Sequence, residues 1–118
     1  NDIVFIFYLA VEKQARGNGI GSQILNLIKN EFPACRLVLN IEALDDNAPN
    51  NDERIRRREF YVKNGFFGAG YNVREYSVIY ENLCFASKEK PVTKEEYTAL
   101  IKAYLGPFMY PLYRKLSE

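Results

Sequence analysis

Ile3-Val4-Phe5-Ile6-Phe7-Tyr8-Leu9-Ala10-Val11, followed by Glu12-Lys13-Gln14-Ala15-Arg16-Gly17-Asn18-Gly19-Ile20-Gly21-Ser22, decides how this chain is read. The first part is a continuous apolar run rich in β-branched and aromatic residues, which suits a strand buried on both faces. Glu12 to Asn18 reads as a polar loop. From Gly19 the period becomes helical, with Ile20, Ile24, Leu27 and Ile28 expected on one buried face. Pro33 stops that helix. Arg36-Leu37-Val38-Leu39-Asn40-Ile41 then reads as a second strand. Strand, glycine loop, helix and strand in that order make a βαβ unit with parallel strands.

Working outward, residues 43–50 are rich in turn formers: Asp45, Asp46, Asn47, Pro49 and Asn50. Asn50 followed by Glu53 resembles a capping box for a helix running to about Lys63, and Asn64-Gly65 supplies a left-handed cap at its end. Phe66 to Arg74 and Tyr76 to Phe85 read as an antiparallel hairpin with its turn near Arg74-Glu75. Thr93 and Glu96 form a second capping box, opening a helix with Tyr97, Leu100, Ile101 and Tyr104 on one face and Gly106-Pro107 at its end. The apolar and aromatic tail from Phe108 to Leu116 is expected to pack on something. The fold class is α/β, with a mixed sheet, in one domain over 1–118 whose C-terminal part, 93–118, is a helix and an apolar tail.

Composition excludes several chemistries. With 47% hydrophobic and 26% charged residues, the chain has the balance of a globular domain that buries a core. A net charge of +1 gives no strong pull toward nucleic acid or an anionic membrane, so neither is expected as a partner. No apolar run reaches the ~18 residues of a membrane span. The opening strand lacks the basic leader of a signal peptide. The absence of histidine removes Ser-His-Asp and Cys-His nucleophile systems, and with only Cys35 and Cys84 no zinc site of Cys and His is expected. Two widely spaced cysteines suggest reduced, buried thiols in a cytoplasmic protein, with a single disulfide as the alternative.

Arg16-Gly17-Asn18-Gly19-Ile20-Gly21-Ser22 allows more than one reading. It is either a tight connection without a ligand or a loop whose backbone amides, with the helix N-terminus, receive phosphate. A Walker A site is excluded, since no Gly-Lys-Ser/Thr is present. A dinucleotide fingerprint would use Gly17 and Gly19, with Glu42 at the end of the next strand as the ribose-binding acid. Against it, Ser22 stands where Gly or Ala is wanted, and residues 12–16 separate the strand from the first glycine. The whole stretch from Leu9 to Ser22 resembles motif A of the GNAT N-acetyltransferases: Leu9 and Val11 fit the strand end, and Arg16, Gly19 and Gly21 fill the loop pattern. Phe60-Tyr61-Val62-Lys63-Asn64-Gly65-Phe66 resembles motif B, a helix ending Phe-Tyr-x-x-x-Gly-Phe. Arg57, Arg58 and Glu59 depart from that pattern, which usually has a small residue shortly before Phe-Tyr. The resemblance covers about residues 3–86.

That resemblance implies a GNAT-like acyl-CoA N-acyltransferase fold and transfer of an acetyl group from acetyl-CoA to a primary amine by direct attack in a ternary complex. It implies acetyl-CoA as co-substrate and no metal. By match, coenzyme A would be held by Arg16, Gly17, Asn18, Gly19, Ile20, Gly21 and Ser22 at its pyrophosphate. Leu9, Ala10 and Val11 would pair with its pantetheine arm, the Val11 amide meeting the oxyanion. Tyr61 matches the tyrosine that protonates the departing thiolate. Glu42, Glu12 or a chain of waters would take the proton from the amine. Arg54, Arg56, Arg57 and Arg58 would form either a patch for the 3′-phosphate or an acidic acceptor, or a solvated helix face. The alternatives are a module that binds acyl-CoA without turnover and, behind it, a dinucleotide-binding oxidoreductase domain. The acceptor is a small-molecule or peptide amine. The family places strands and helices before the motif A strand, so a missing N-terminal half is expected elsewhere in the gene, or else a homodimer or another chain supplies the pairing.

Overall fold

The computed structural model describes residues 2–6, 19–86 and 90–104. Its elements are β1 (Ile3–Ile6), α1 (Ile20–Glu31), β2 (Arg36–Glu42), α2 (Asn51–Lys63), β3 (Phe67–Glu75) and β4 (Val78–Phe85), with a further helix, α3, over residues 94–104. The fold is α+β: one mixed sheet ordered β1-β2-β4-β3, with β1 and β2 parallel and the other neighbours antiparallel. The βαβ reading of the opening stretch holds over its described part. Phe7 to Asn18 and residues 105–118, with the tail expected to pack, lie outside the described residues.

Alternation along the strands splits the core in two. Leu37, Leu39, Ile41 and Leu83 point to the side of α1 and α2, where they meet Leu25, Tyr61 and Phe66. Val38, Val73 and Cys84 point the other way, onto Val92, Tyr97 and Ile101. β1 sits at an edge of the described sheet yet uses both faces: Val4 and Ile6 pack on the first cluster, Ile3 and Phe5 on the second. This accounts for the apolar residues of Ile3–Ile6, which a one-sided strand would not need on both faces.

Four local expectations need correction. Leu27 is 68% exposed, and the buried residue of α1 is Leu25. At ~100° per residue the buried stripe runs through Ile20, Ile24, Leu25 and Ile28, which leaves Leu27 at its margin. Tyr104, expected on the buried face of α3, is 66% exposed, while Tyr97 and Ile101 are buried. The hairpin turns at Tyr76 and Ser77, between the paired Glu75 and Val78, two residues beyond Arg74-Glu75. Tyr76 takes φ 60 there, a conformation for which tyrosine gives no sequence signal. Asn50 is the N-cap of α2 but makes no side-chain cap, because its Oδ1 accepts from Arg54 Nε at 2.9 Å instead.

Two other signals are realised in full. Gly65, at φ 92, closes α2 with its N–H on the Val62 carbonyl and the Phe66 N–H on the Tyr61 carbonyl, each at 3.0 Å, the paired bonds of a Schellman end. Lys29, from the last turn of α1, adds its ammonium to the Asn64 carbonyl over the Phe85 ring. At α3 the Glu96 N–H bonds Thr93 Oγ1 and the Thr93 N–H bonds Glu96 Oε1, both at 3.1 Å, so the capping box is reciprocal.

Candidate functional site

α1 begins on an exposed Gly19 in the left-handed conformation, φ 76 and ψ 8. The Gly19 carbonyl accepts the Gln23 N–H at 3.0 Å, which starts the helix ladder. No side chain caps this end, and its first turn carries no acidic residue. Among the described residues, the amides of Ile20, Gly21 and Ser22 therefore have neither of the acceptors that usually satisfy a helix start. A β carbon added at Gly19 would meet nothing within 4 Å among the described residues. The positive end of the helix dipole and these first amides suit an anion. Leu9, Ala10, Val11, Glu12, Arg16, Gly17 and Asn18, the remaining residues expected around this end, lie outside the described residues.

Glu42 ends β2, half-buried, and its carboxylate meets two arginines of α2: Arg54 at 2.9 Å and Arg57 at 3.5 Å. Tyr61 stands in the last turn of the same helix, 7% exposed. Its ring meets Phe60 and Phe66 edge-on, with centroids 5.1 and 5.6 Å away. Burial raises the pKa of its phenol, against a smaller opposing effect of Arg57. Glu42 is thus tied to the first half of α2 and Tyr61 to its end; Arg57 acts on both.

The arginine run fits neither of its expected readings as a whole. Arg56 and Arg57 are exposed, but Arg54 and Arg58 turn toward the sheet. Arg54 also donates to the Ala43 carbonyl at 2.9 Å. Arg58 grips Glu81 of β4 through two bonds, 2.8 and 3.1 Å.

Two polar clusters lie where sequence reasoning saw only strand. Arg36 of β2, 7% exposed, donates twice to Asp2 at 3.0 Å, twice to Glu96, at 2.9 Å to Oε1 and 2.5 Å to Oε2, and to the Pro91 carbonyl. This pairing holds the Glu96 carboxyl well down, from its ordinary 4.5 to about 2, with the Thr93 amide helping. On the α3 face, Asn40 donates to the Tyr97 hydroxyl at 2.8 Å, Tyr97 donates to Glu75 at 3.2 Å, and Asn82 donates to Asn40. Arginine and asparagine inside otherwise apolar strands were the available signal, since polar groups buried there need partners.

Cys35 and Cys84 are free thiols, Cys84 fully buried. Among the described residues no cluster of three or more His, Cys, Asp or Glu could hold a metal ion, and no helix is long and apolar enough to cross a membrane.

Comparison with known proteins agrees with the architecture. Residues 1–66 match the family model described as "Acetyltransferase (GNAT) domain". The fold is similar to the crystal structure of an N-acetyltransferase from Staphylococcus aureus Mu50, with a TM-score of 0.57 and 23% sequence identity. The superposition covers 70% of this chain and 40% of that one, so the chain spans about two fifths of the solved protein's length. At this identity the likeness is one of fold. A search of curated proteins returned no match.

Proposed function

This chain belongs to the GNAT acetyltransferase family, and from that premise we propose that it moves an acetyl group from acetyl-CoA to a primary amine by direct attack in a ternary complex. The carrying observation is the start of α1, a helix end opened by a left-handed glycine with no side-chain cap from that residue and no acid in its first turn. Pyrophosphate at Gly19, Ile20, Gly21 and Ser22 would supply the missing acceptors. Arg16, Gly17 and Asn18 would extend that grip, Leu9 to Val11 would pair with pantetheine, and the Val11 amide would meet the oxyanion.

In the transfer, the amine nitrogen bonds to the thioester carbonyl carbon and the carbon–sulfur bond breaks. The nitrogen gives up one proton and the thiolate gains one. Tyr61 is the group proposed at the sulfur. A phenol at ~10 is already a weak acid toward a thiol at ~8.5, and burial raises Tyr61 further. This favours a hydrogen-bond donor that steadies the leaving thiolate over full proton transfer. Glu42 is the candidate base, reached from α2 by two arginines. That double pairing also favours a second reading, acyl-CoA binding without turnover. The reduced thiols agree with a cytoplasmic setting.

The test is release of free thiol from acetyl-CoA by the full-length gene product against a panel of small-molecule and peptide amines. Release that depends on one class of amine supports transfer. Tight acetyl-CoA binding with no release on any amine supports the second reading. No binding at all refutes both.

A further inference from the structure

α2 is an unusual helix to carry a reacting side chain. Its sequence, Asn-Asp-Glu-Arg-Ile-Arg-Arg-Arg-Glu-Phe-Tyr-Val-Lys, lacks a broad apolar stripe, and Tyr61 is its one buried residue. Helices of this kind cannot be seated by burial of an apolar face alone. Charge seats this one. Arg54 ties its first turn to Glu42 of β2, and Arg58 ties its middle to Glu81 of β4. Arg58 precedes Tyr61 by three residues, so the two side chains are neighbours on one helix face. The Arg58–Glu81 bond is bidentate, 2.8 and 3.1 Å, and both side chains are largely withdrawn from solvent, at 34% and 20% exposure. A guanidinium fork on a carboxylate fixes direction as well as distance.

The strand beside this pair makes room for it. A β carbon at Gly68 of β3 would lie 2.8 Å from Glu81 Oε2 and 3.5 Å from an Arg58 nitrogen. Any larger residue there would push the carboxylate off the fork. A glycine, an arginine and a glutamate from three elements thus converge on one contact, one helical turn from Tyr61.

We propose that the Arg58–Glu81 pair, admitted by Gly68, is the positioning device that sets the Tyr61 hydroxyl against the thioester sulfur. This rests on the role proposed for Tyr61 above. Arg58 touches no reacting atom in this scheme; it acts through the tyrosine. It also accounts for the departure from the small residue usual near this point of the helix, since the larger side chain is what reaches the sheet.

A double-mutant cycle on the full-length protein tests it, with kcat and KM for acetyl-CoA as readouts. Arg58→Met keeps the stem and removes the fork; it should lower kcat by about 10- to 100-fold with KM nearly unchanged, the size of a small misplacement. In a Tyr61→Phe background the same change should add almost nothing, because there is no hydroxyl left to place. Gly68→Ala, which shifts the pair without deleting a charge and meets only the end of a flexible side chain, should reproduce the kcat loss and the same non-additivity. It serves if Arg58→Met fails to fold. If Tyr61→Phe is slow but the Arg58 and Gly68 losses multiply with it undiminished, or do not occur, the positioning role is overturned while the tyrosine stands. If Tyr61→Phe keeps wild-type kcat, the role of the tyrosine itself fails, and the positioning role with it.

Discussion

Gly19 and Tyr61 make different demands on their surroundings. Gly19 occupies a left-handed conformation that a β-branched residue adopts only under strain, at the helix end proposed to receive phosphate. Gly19→Val should therefore weaken acetyl-CoA binding by at least about 10-fold, since both the helix start and the anion approach are lost. Titration calorimetry on the folded variant checks this; wild-type affinity would remove the loop from the site. Tyr61 is at once a core aromatic and the candidate donor, so only its hydroxyl is informative. Tyr61→Phe should preserve thermal stability and lower kcat by ~10²-fold or more. Because burial raises the phenol above its ordinary 10, the hydroxyl stays protonated through neutral and moderately alkaline pH. Loss of wild-type activity on the alkaline side should thus lie at higher pH than an ordinary phenol would give, if Tyr61 causes it. A fall near pH 8 that persists in Tyr61→Phe would assign that limb to another group.

Single elements show where sequence is sufficient and where it stops. The Thr93–Glu96 box was legible because both partners fall within four residues and the geometry of one helical turn dictates their bonds. The Asn64-Gly65 end was legible for the same reason. Leu25 was not, because the tilt of α1 on the sheet decides which side of its stripe is buried. Nor was the Arg36 cluster, whose partners lie 34 and 60 residues away. Of the candidate site, the described half of the glycine loop and the place of Tyr61 were readable from local pattern. The commitment of Glu42 and Glu81 to arginines of α2 was not, since it depends on how that helix crosses the sheet. The α3 cap offers a measurable consequence. Thr93→Ala should lower stability by ~1 kcal/mol. Glu96, held down to about 2 by Arg36 and Thr93, contributes stability fully above its unfolded value near 4.5 and loses it as pH falls toward 2. Thermal unfolding between pH 5 and 2 should show that decline, and Glu96→Gln should flatten it. An unchanged slope in the variant would mean that other carboxylates govern acid unfolding.

At the scale of the molecule, a thin sheet is covered on both sides, by α1 and α2 on one face and α3 on the other, and the candidate chemistry lies on the α1 and α2 side. Both clusters draw on β2 and β4, so these two strands carry the fold while β3 closes one margin of the described sheet. β3 is not a straight border. Gly68 pairs with Leu83 and Asn72 with Glu81, so Ala69, Gly70 and Tyr71 stand opposite Asn82 alone. Phe67, Ala69 and Tyr71 nevertheless all pack on the same face, because two surplus residues leave the alternation of side chains intact. A bulge of this kind bends the outer rim away from the flat row of amides and carbonyls on which another strand could grow. The irregularity in β3 is therefore expected to oppose pairing between copies of the chain. Excising Ala69 and Gly70 should leave every neighbouring side chain on its own face while straightening the rim. Static light scattering on a concentration series should then find particles that enlarge with concentration and time where the parent chain scatters steadily, and equal scattering from both would show that colloidal protection resides elsewhere.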